Sequence, residues 1–389
     1  MKKTLALVLS LVMALGLLSG CGSKPAESSA PAPAAPAESS TPTPADSAAP
    51  AEADPMAELI AAAQAEGELV VYGSCEEDYL SAACANFESL YGIKTQYQRL
   101  STGEVPTKIE EENGNPSADV WFGGTNNPYD TAAAKGLLEN DYVPMNASHL
   151  SKDIYKDPNG YWYGIYTGIL GFMVNTNELD RLGLAAPQTW DDLLKPEYKG
   201  LIWLSNYNTA GTAKLVINTM LQMKGHDAGI QYLVDLDKNI QVYTKSGSGP
   251  SKNVGTGECV IGIGFLHDGI TQIVDNGYDN VQLIIPADGT SCEIGPVAEF
   301  KGAKHQNAAH LFMEYALSPA CVELAAQNGS YQFLVIDNAS QPKEAVEFGL
   351  DPSLVWDGYD FADAAENTAK YVEEVMAALN GGDDRFKTE

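Results

Sequence analysis

The amino-acid sequence predicts an α/β protein built from two lobes, and three observations support this class. Strand-like and helix-like segments alternate from residue 56 onwards. The folded part is about 330 residues long, which is more than one hydrophobic core usually serves. Polar loops follow five of the strand-like segments, in the positions where α/β sheets bind ligands. Each lobe is therefore expected to be a sheet flanked by helices.

The first 55 residues predict a secreted and anchored chain. A basic start, an apolar run and small residues before Cys21 have the layout of a secretory signal, which assigns residues 1–20 to a signal peptide. LSGC, residues 18–21, resembles a bacterial lipobox, in which the cysteine carries a lipid; an ordinary signal with a chance cysteine is the alternative. Residues 21–55 are mostly Pro, Ala, Ser, Thr and acids, so a disordered tether is expected. The folded part would then stand outside the bacterial cell membrane.

Charge and cysteine usage argue against several classes of function. The net charge of −29, from 52 acidic and 23 basic residues, disfavours nucleic acid and polybasic membrane binding. Five cysteines follow Cys21, so at least one thiol is free or pairs with another chain. The cysteines and histidines show no zinc-site spacing, and no cofactor is expected. The remaining cysteines are Cys75, Cys84, Cys259, Cys292 and Cys321.

The elements follow from hydrophobic periodicity and from glycine stops. Helices are predicted over residues 57–67, 78–92, 103–115 and 209–225, and strands over 68–74, 93–100, 118–124, 201–205, 239–244, 259–265 and 280–286. Gly67 and Gly92 are expected to end the first two helices. Leu80, Ala83, Phe87 and Leu90 should form the buried face of the second helix. Residues 346–389 are expected to be helical, without assignment to a lobe.

Polar residues follow five predicted strands on the same expected side of the sheets, which predicts a binding cleft. These residues are Ser74; Gly123, Gly124 and Thr125; Asn206, Thr209, Gly211 and Thr212; Ser246, Gly247 and Ser248; and His267 and Asp268. The first turn of the helix over 209–225 has free N–H groups that suit an anion. A plain N-cap at Thr209 is the alternative there. A flexible turn is the alternative for Ser246 and Ser248.

Several segments, taken in order, resemble the extracellular solute-binding proteins of ABC importers. They include GELVVYGS, STGEVPTKIEEENGNPSADVWFGG, PQTWDDLLKPEYKGLI, SGSGPSKNVGTGECVIGIG and PADGTSCEIGPVAEFKGAKHQNAAHLFMEYALS, and the similarity covers residues 66–340. The similarity is greatest to the branch that binds ferric ion, phosphonates and sugar phosphates. It implies a two-lobed, type II periplasmic-binding-protein fold that closes over one solute in the cleft and delivers it to a membrane permease. Lobe 1 would comprise residues 56–170 and 290–345, and lobe 2 residues 171–289.

His267 and Asp268 allow three interpretations: a proton-transfer pair, metal ligands, or groups that hold a ligand unchanged. Asp268 could also simply cap a helix, with His267 a solvated loop residue. Sugar-phosphate-binding members of the family resemble this sequence in a His-Asp pair at this strand end. The resemblance implies that the pair binds sugar hydroxyls and that Glu293 helps. No GxSxG motif accompanies the pair, so a surface-exposed hydrolase is only a distant alternative, and no enzyme is expected.

The expected ligand is a small anionic solute, namely an organic phosphate or phosphonate, a class that includes the sugar phosphates. The alternative is ferric iron or a ferric chelate. Iron-binding family members typically use adjacent tyrosines, and this sequence has no Tyr-Tyr pair in the matching region. If iron were the ligand, Glu76, Tyr207 and Tyr331 would be the candidates. The expected partners are an ABC permease and, through the lipid on Cys21, the membrane; the chain is expected to be a monomer.

Overall fold

The computed structural model describes residues 54–113, 115–380 and 384–386. The predicted signal peptide and Cys21 lie outside these residues, and so does the predicted tether apart from its last two positions. Those two positions, Asp54 and Pro55, belong to the first helix instead. Asp54 is the N-cap, and its Oδ1 accepts a hydrogen bond from the Met56 N–H at 3.1 Å. The predicted tether is therefore two residues too long.

The described residues form ten strands and fourteen α-helices. The strands are β1 (Glu68–Gly73), β2 (Lys94–Arg99), β3 (Val120–Phe122), β4 (Tyr163–Asn175), β5 (Ile202–Ser205), β6 (Ile240–Thr244), β7 (Ile261–Phe265), β8 (Val281–Ile284), β9 (Cys292–Glu299) and β10 (Phe333–Leu334). The helices are α1 (Pro55–Glu66), α2 (Glu77–Tyr91), α3 (Val105–Glu111), α4 (Asn126–Ala134), α5 (Thr176–Leu182), α6 (Gly211–Lys224), α7 (His226–Asp237), α8 (Gly249–Val254), α9 (Leu266–Val274), α10 (Gln306–Ala316), α11 (Pro319–Val322), α12 (Leu324–Gln327), α13 (Lys343–Glu347) and α14 (Phe361–Ala378). None of these helices is both long and apolar enough to cross a membrane.

Strand β4 is shared by two half-sheets, and the strand order is β2-β1-β3-β9-β4-β7-β5-β6. Its first half pairs antiparallel with β9 and β10, and its second half pairs antiparallel with β7 and β8. We call the part built on β1–β3, β9, β10 and the first half of β4 lobe 1. The part built on β5–β8 and the second half of β4 is lobe 2. The backbone of one strand therefore runs without a break from lobe 1 into lobe 2.

The sequence of β4, YGIYTGILGFMVN, explains this role. All of its residues are buried, as expected for a strand that is covered on both faces. In lobe 2, Phe172 packs edge-on against Trp190, with ring centroids 4.8 Å apart. In lobe 1, the Phe87 and Phe312 rings pack edge-on at 5.1 Å between α2 and α10. Each lobe thus has its own hydrophobic core on either side of the shared strand.

The predicted helix stops are confirmed. Gly67 ends α1 and Gly92 ends α2, with φ of 76° and 70° in the left-handed region that glycine adopts at low cost. The buried face of α2 is correct for Leu80, Ala83 and Phe87 but wrong for Leu90, which is 54% exposed. Helical periodicity places Leu90 at the edge of the apolar face, in the last turn.

The C-terminal segment contacts both lobes. Helix α14 packs against α6 and α7 of lobe 2 and against α4 of lobe 1. Ala364 and Val375 join the lobe 2 core, and the buried Asn218 Nδ2 donates a hydrogen bond to Thr368 Oγ1 at 2.8 Å. The segment that the sequence left unassigned is therefore a helix lying across the two lobes.

All five cysteines of the described part are buried free thiols. Cys75, Cys84 and Cys321 belong to the same lobe 1 core, where they pack as small apolar side chains. The odd cysteine count predicted at least one free thiol, and the fold leaves all five unpaired.

Truncating the shared strand in the lobe 2 core should be costly. Phe172→Ala should lower the free energy of unfolding by about 3–5 kcal/mol, because a fully buried ring leaves a cavity beside Trp190. The matched control Leu182→Ala, at a side chain that is 38% exposed, should change it by about 0.5 kcal/mol or less. Urea unfolding measures both variants, and similar costs for the two would contradict the packing described here.

Candidate ligand-binding site

A cavity lies between the lobes, at the carboxyl ends of β1, β2 and β3 and at the start of α6, α8 and α9. It is lined by Ser74, Cys75, Glu76, Arg99, Ser101, Thr102, Gly124, Thr125, Tyr166, Ala210, Gly211, Thr212, Gly247, Ser248, Phe265, His267, Asp268, Glu293 and Gln332. Ten of the candidate residues are in this set: Ser74, Gly124, Thr125, Gly211, Thr212, Gly247, Ser248, His267 and Asp268 from the strand ends, and Glu293 from the family resemblance. The rule that ligand residues follow the carboxyl ends of strands, here called the strand-end rule, therefore selected residues that mostly lie together.

Four candidate residues do not line the cavity: Gly123, Asn206, Thr209 and Ser246. Asn206 Nδ2 donates to the Phe386 carbonyl at 3.0 Å, and Thr209 Oγ1 donates to the Lys245 carbonyl at 2.7 Å. Ser246 Oγ accepts a hydrogen bond from Arg99 Nη2 at 3.4 Å and lies 3.2 Å from Ser248 Oγ. The interpretation of Thr209 as an N-cap is also wrong, since Ala210 occupies that position in α6.

Several lining residues were missed by the sequence argument. Arg99 ends β2, and Ser101 and Thr102 follow it, so the strand-end rule that selected Ser74 after β1 would have found them. Tyr166 and Gln332 reach the cavity from β4 and from the loop before β10. No local sequence signal marks these two positions, because only the tertiary fold brings them to the cavity.

One cluster of lining residues can bind an anion. Helices α4 and α6, one from each lobe, begin at the cavity with Thr125 as the N-cap position of α4. The first turn of a helix has N–H groups without intrahelical partners and a partial positive charge. Thr125 Oγ1 is buried and has no hydrogen-bond partner. A Cβ on Gly211 would overlap that same oxygen, so the glycine lets the two helix starts meet closely.

A second cluster consists of His267, Asp268 and Glu293, all buried. His267 and Asp268 lie in the first turn of α9, whose N-cap is Phe265, so the interpretation of Asp268 as the cap is wrong. His267 Nε2 is 3.5 Å from Asp268 Oδ1 and 3.7 Å from Glu293 Oε1. These distances are too long for good hydrogen bonds. His267 Nδ1 has no partner either, so the cluster can still bond to a ligand.

Burial favours the uncharged forms of this second cluster. Loss of solvation holds the pKa of Asp268 and of Glu293 well above the ordinary values; the charge of Glu76 adds to this at Asp268, and the charges of Asp268 and then Glu76 add to it at Glu293. Burial lowers the pKa of His267 to about 3, against the smaller opposing effect of Glu76. All three shifts favour protonated carboxyls and an uncharged imidazole.

Glu76 is the ionised acid of the cavity. Burial alone would raise its pKa, but Lys252 and Arg99 hold the pKa of this carboxyl below its usual range. Lys252 Nζ of lobe 2 lies 2.9 Å from Glu76 Oε2 of lobe 1. A second ion pair, between Lys245 of lobe 2 and Glu104 of lobe 1, spans 3.0 Å. These pairs hold the two lobes together at the cavity.

The residues considered for iron are not brought together. Of Glu76, Tyr207 and Tyr331, only Glu76 lines the cavity. Tyr207 is fully buried in the lobe 2 core, where its ring packs against Tyr243. Tyr331 donates its hydroxyl to Asp275 Oδ1 at 2.7 Å. This set therefore cannot form a single metal site.

Comparison with known proteins gives consistent matches. A family model described as bacterial extracellular solute-binding protein matches residues 115–364. A protein of Haemophilus influenzae is 36% identical over 327 residues, which are 81% of this chain and 93% of that protein. The periplasmic binding protein AfuA from Actinobacillus pleuropneumoniae, with exogenous fructose-6-phosphate bound, superposes with a TM-score of 0.76 at 34% identity, over 81% of this chain and 99% of AfuA. The periplasmic binding protein P5PA superposes with a TM-score of 0.75 at 31% identity, over 80% of this chain and 99% of P5PA.

The buried imidazole should make stability depend on pH. The pKa of His267 is about 3 in the fold and about 6.5 when unfolded, so the unfolded chain binds the proton first as the pH falls. His267 should therefore lower the free energy of unfolding from about pH 6.5 down to pH 3, by at most about 1.4 kcal/mol per pH unit. His267→Gln should remove this contribution in urea unfolding between pH 4 and pH 7. An exposed histidine, in His149→Gln, serves as the control; equal slopes for both variants would mean that His267 is solvated.

Proposed function

The chain belongs to the bacterial extracellular solute-binding proteins, and from this premise we propose that it captures a small sugar phosphate between its lobes for an ABC importer. The membership and the structural matches confirm the predicted two-lobed, type II periplasmic-binding fold. They also confirm the prediction of a binding protein rather than an enzyme. The specific solute and the delivery to a permease are the proposal.

The observation that carries the proposal is the combination of two clusters in one cavity. The phosphate would lie against the first turns of α4 and α6, where Thr125 and Thr212 offer hydroxyls and Gly211 offers its N–H. The sugar hydroxyls would bond to His267, Asp268 and Glu293, which are neutral donors and acceptors. A sugar phosphate needs both kinds of partner at once. The structure of AfuA with fructose-6-phosphate bound supports the same choice.

The charges at the cavity suit an anion although the chain as a whole is strongly acidic. Arg99 lines the cavity, and Lys252 pairs with Glu76, the acid whose pKa stays low. Burial favours the protonated forms of Asp268 and Glu293, whose charges would otherwise repel a phosphate. Arg99 thus offers a positive charge inside the cavity, while the net charge of the chain is −29.

Capture would occur by closure of the lobes. The ion pairs Glu76–Lys252 and Glu104–Lys245 join lobe 1 to lobe 2 and can form only when the lobes are together. A solute that touches both lobes binds the closed form better and shifts the population toward it. The closed form would then dock on the permease, with the protein as a monomer anchored through the predicted lipid on Cys21.

Ligand binding should depend on the unpaired hydroxyl of Thr125. Thr125→Val keeps the shape but removes the donor, and it should weaken fructose 6-phosphate binding by about 10- to 100-fold, the value of a hydrogen bond to a charged group. Thr125→Ser keeps the hydroxyl, so its affinity for fructose 6-phosphate should stay close to that of the unaltered protein. Calorimetry measures the affinity of both variants for fructose 6-phosphate, with fructose and inorganic phosphate as comparison ligands.

Two outcomes of that experiment would contradict the proposal. If Thr125→Val and Thr125→Ser bind fructose 6-phosphate with equal affinity, the phosphate does not bind at the start of α4. Binding of ferric citrate with no binding of any phosphate ester or phosphonate would replace the proposed solute class by iron.

Glu293 distinguishes a sugar phosphate from an aminoalkyl phosphonate. Because burial favours the protonated carboxyl, Glu293→Gln should still bond to sugar hydroxyls and change the affinity for fructose 6-phosphate only a few-fold, whereas Glu293→Ala should weaken binding through the loss of a hydrogen bond. An ammonium group would instead need the carboxylate charge. If the unaltered protein prefers 2-aminoethylphosphonate and Glu293→Gln abolishes that binding, the ligand is the aminoalkyl phosphonate.

A further inference from the structure

A second cluster of ligating side chains lies in lobe 1, outside the cavity. It consists of Asp141 in the loop after α4, Glu299 at the end of β9 and His310 in α10. Their ligating atoms all lie within 4.8 Å of one another. Among the described residues, this is the one group of three such side chains close enough to hold a metal ion. None of the three lines the cavity between the lobes.

The imidazole of His310 is held in a fixed orientation. Its Nε2 is 2.9 Å from Glu299 Oε2, and its ring stacks on Tyr142 at a centroid distance of 4.0 Å and an angle of 7°. Tyr142 in turn donates its hydroxyl to Glu314 Oε1 at 2.6 Å. The stacking on Tyr142, which Glu314 holds in turn, fixes the ring before an ion arrives. A metal ion bound by Nε2 and Glu299 would replace the contact between these two groups.

Negative charge is poorly balanced in this cluster. The Glu299 side chain is 3% exposed, and its Oε1 has no hydrogen-bond partner in the described part of the chain. The exposed Asp141 receives one long hydrogen bond, from Gln306 Nε2 at 3.4 Å. A divalent cation would relieve the repulsion among these carboxylates.

We propose that Asp141, Glu299 and His310 bind one zinc ion on the surface of lobe 1. One imidazole nitrogen and two carboxylate oxygens, with a water molecule in the fourth position, match the ligands that zinc accepts in tetrahedral sites. Magnesium and calcium prefer all-oxygen sites, so the histidine favours zinc over both. The ion would link β9, α10 and the loop between α4 and β4, and it would stabilise lobe 1.

Zinc titration of the chelator-treated protein tests this site. Calorimetry should show one zinc ion bound per chain, and zinc should raise the melting temperature by several degrees. Cobalt should bind in its place and give the visible absorption bands of a tetrahedral site. His310→Ala should weaken zinc binding at least about tenfold, because an imidazole ligand is lost. Asp141→Asn, at an exposed position where folding is not at risk, should weaken it as well.

The controls separate loss of the metal from loss of the fold. His149→Ala removes an exposed histidine that pairs with Asp337 alone, and zinc binding should be unchanged. Each variant should bind fructose 6-phosphate, or whichever solute the unaltered protein binds, with unchanged affinity, because the cluster lies outside the cavity. Absence of stoichiometric zinc binding would overturn the proposal. Equal zinc affinity in His310→Ala, Asp141→Asn and the unaltered protein would overturn it too.

Discussion

Strand β4 is the constraint on which the rest of the structure depends. Its thirteen residues are all buried, and its two halves pair with different strands, so both half-sheets take their register from one backbone. The same strand brings Tyr166 to the cavity and passes the binding groups at Gly168, where a Cβ would overlap the His267 ring. Glycine is required there because His267 and Glu293 approach the backbone from two different elements. The crossing from lobe 1 to lobe 2 and the wall of the cavity thus both depend on this one strand.

Burial decides the chemistry of the cavity as much as residue type does. Glu76, Asp268 and Glu293 are three acids in a small space, and the lining sequence alone suggests a site that repels anions. Loss of solvation and mutual repulsion raise the pKa of two of them, while Lys252 and Arg99 keep the third ionised. The shifts favour one ionised acid beside Arg99 and Lys252, and uncharged hydrogen-bonding groups at the other two acids. The charges at the cavity therefore do not follow from the net charge of the chain.

Closure and the C-terminal helix are coupled through the elements that begin at the cavity. Helices α4 and α6 start there, one in each lobe, and α14 packs against both. Any motion that separates α4 from α6 must therefore slide or detach α14 from one of them. Asn218 Nδ2 bonds to Thr368 in α14, and Ala364 and Val375 pack in the lobe 2 core, which favours movement of α14 with lobe 2. The ion pairs Glu76–Lys252 and Glu104–Lys245 connect lobe 1 to lobe 2 directly.

The sequence by itself determined the local structure and most of the site. Hydrophobic periodicity and glycine stops gave the elements from α1 to β3 and the strands of lobe 2, and the strand-end rule selected nine of the residues that line the cavity. These signals are local, so they can be read along the chain. Local signals could not predict the exposure of Leu90, which depends on where the neighbouring core ends. They also could not predict that the side chains of Asn206 and Thr209 bond to the carbonyls of Phe386 and Lys245. Only the tertiary structure brought Gln332 to the cavity and separated the tyrosines considered for iron. Burial in that structure also raises the pKa of Asp268 and of Glu293. Those outcomes depend on contacts between residues far apart in the chain and on burial, which a one-dimensional pattern does not record.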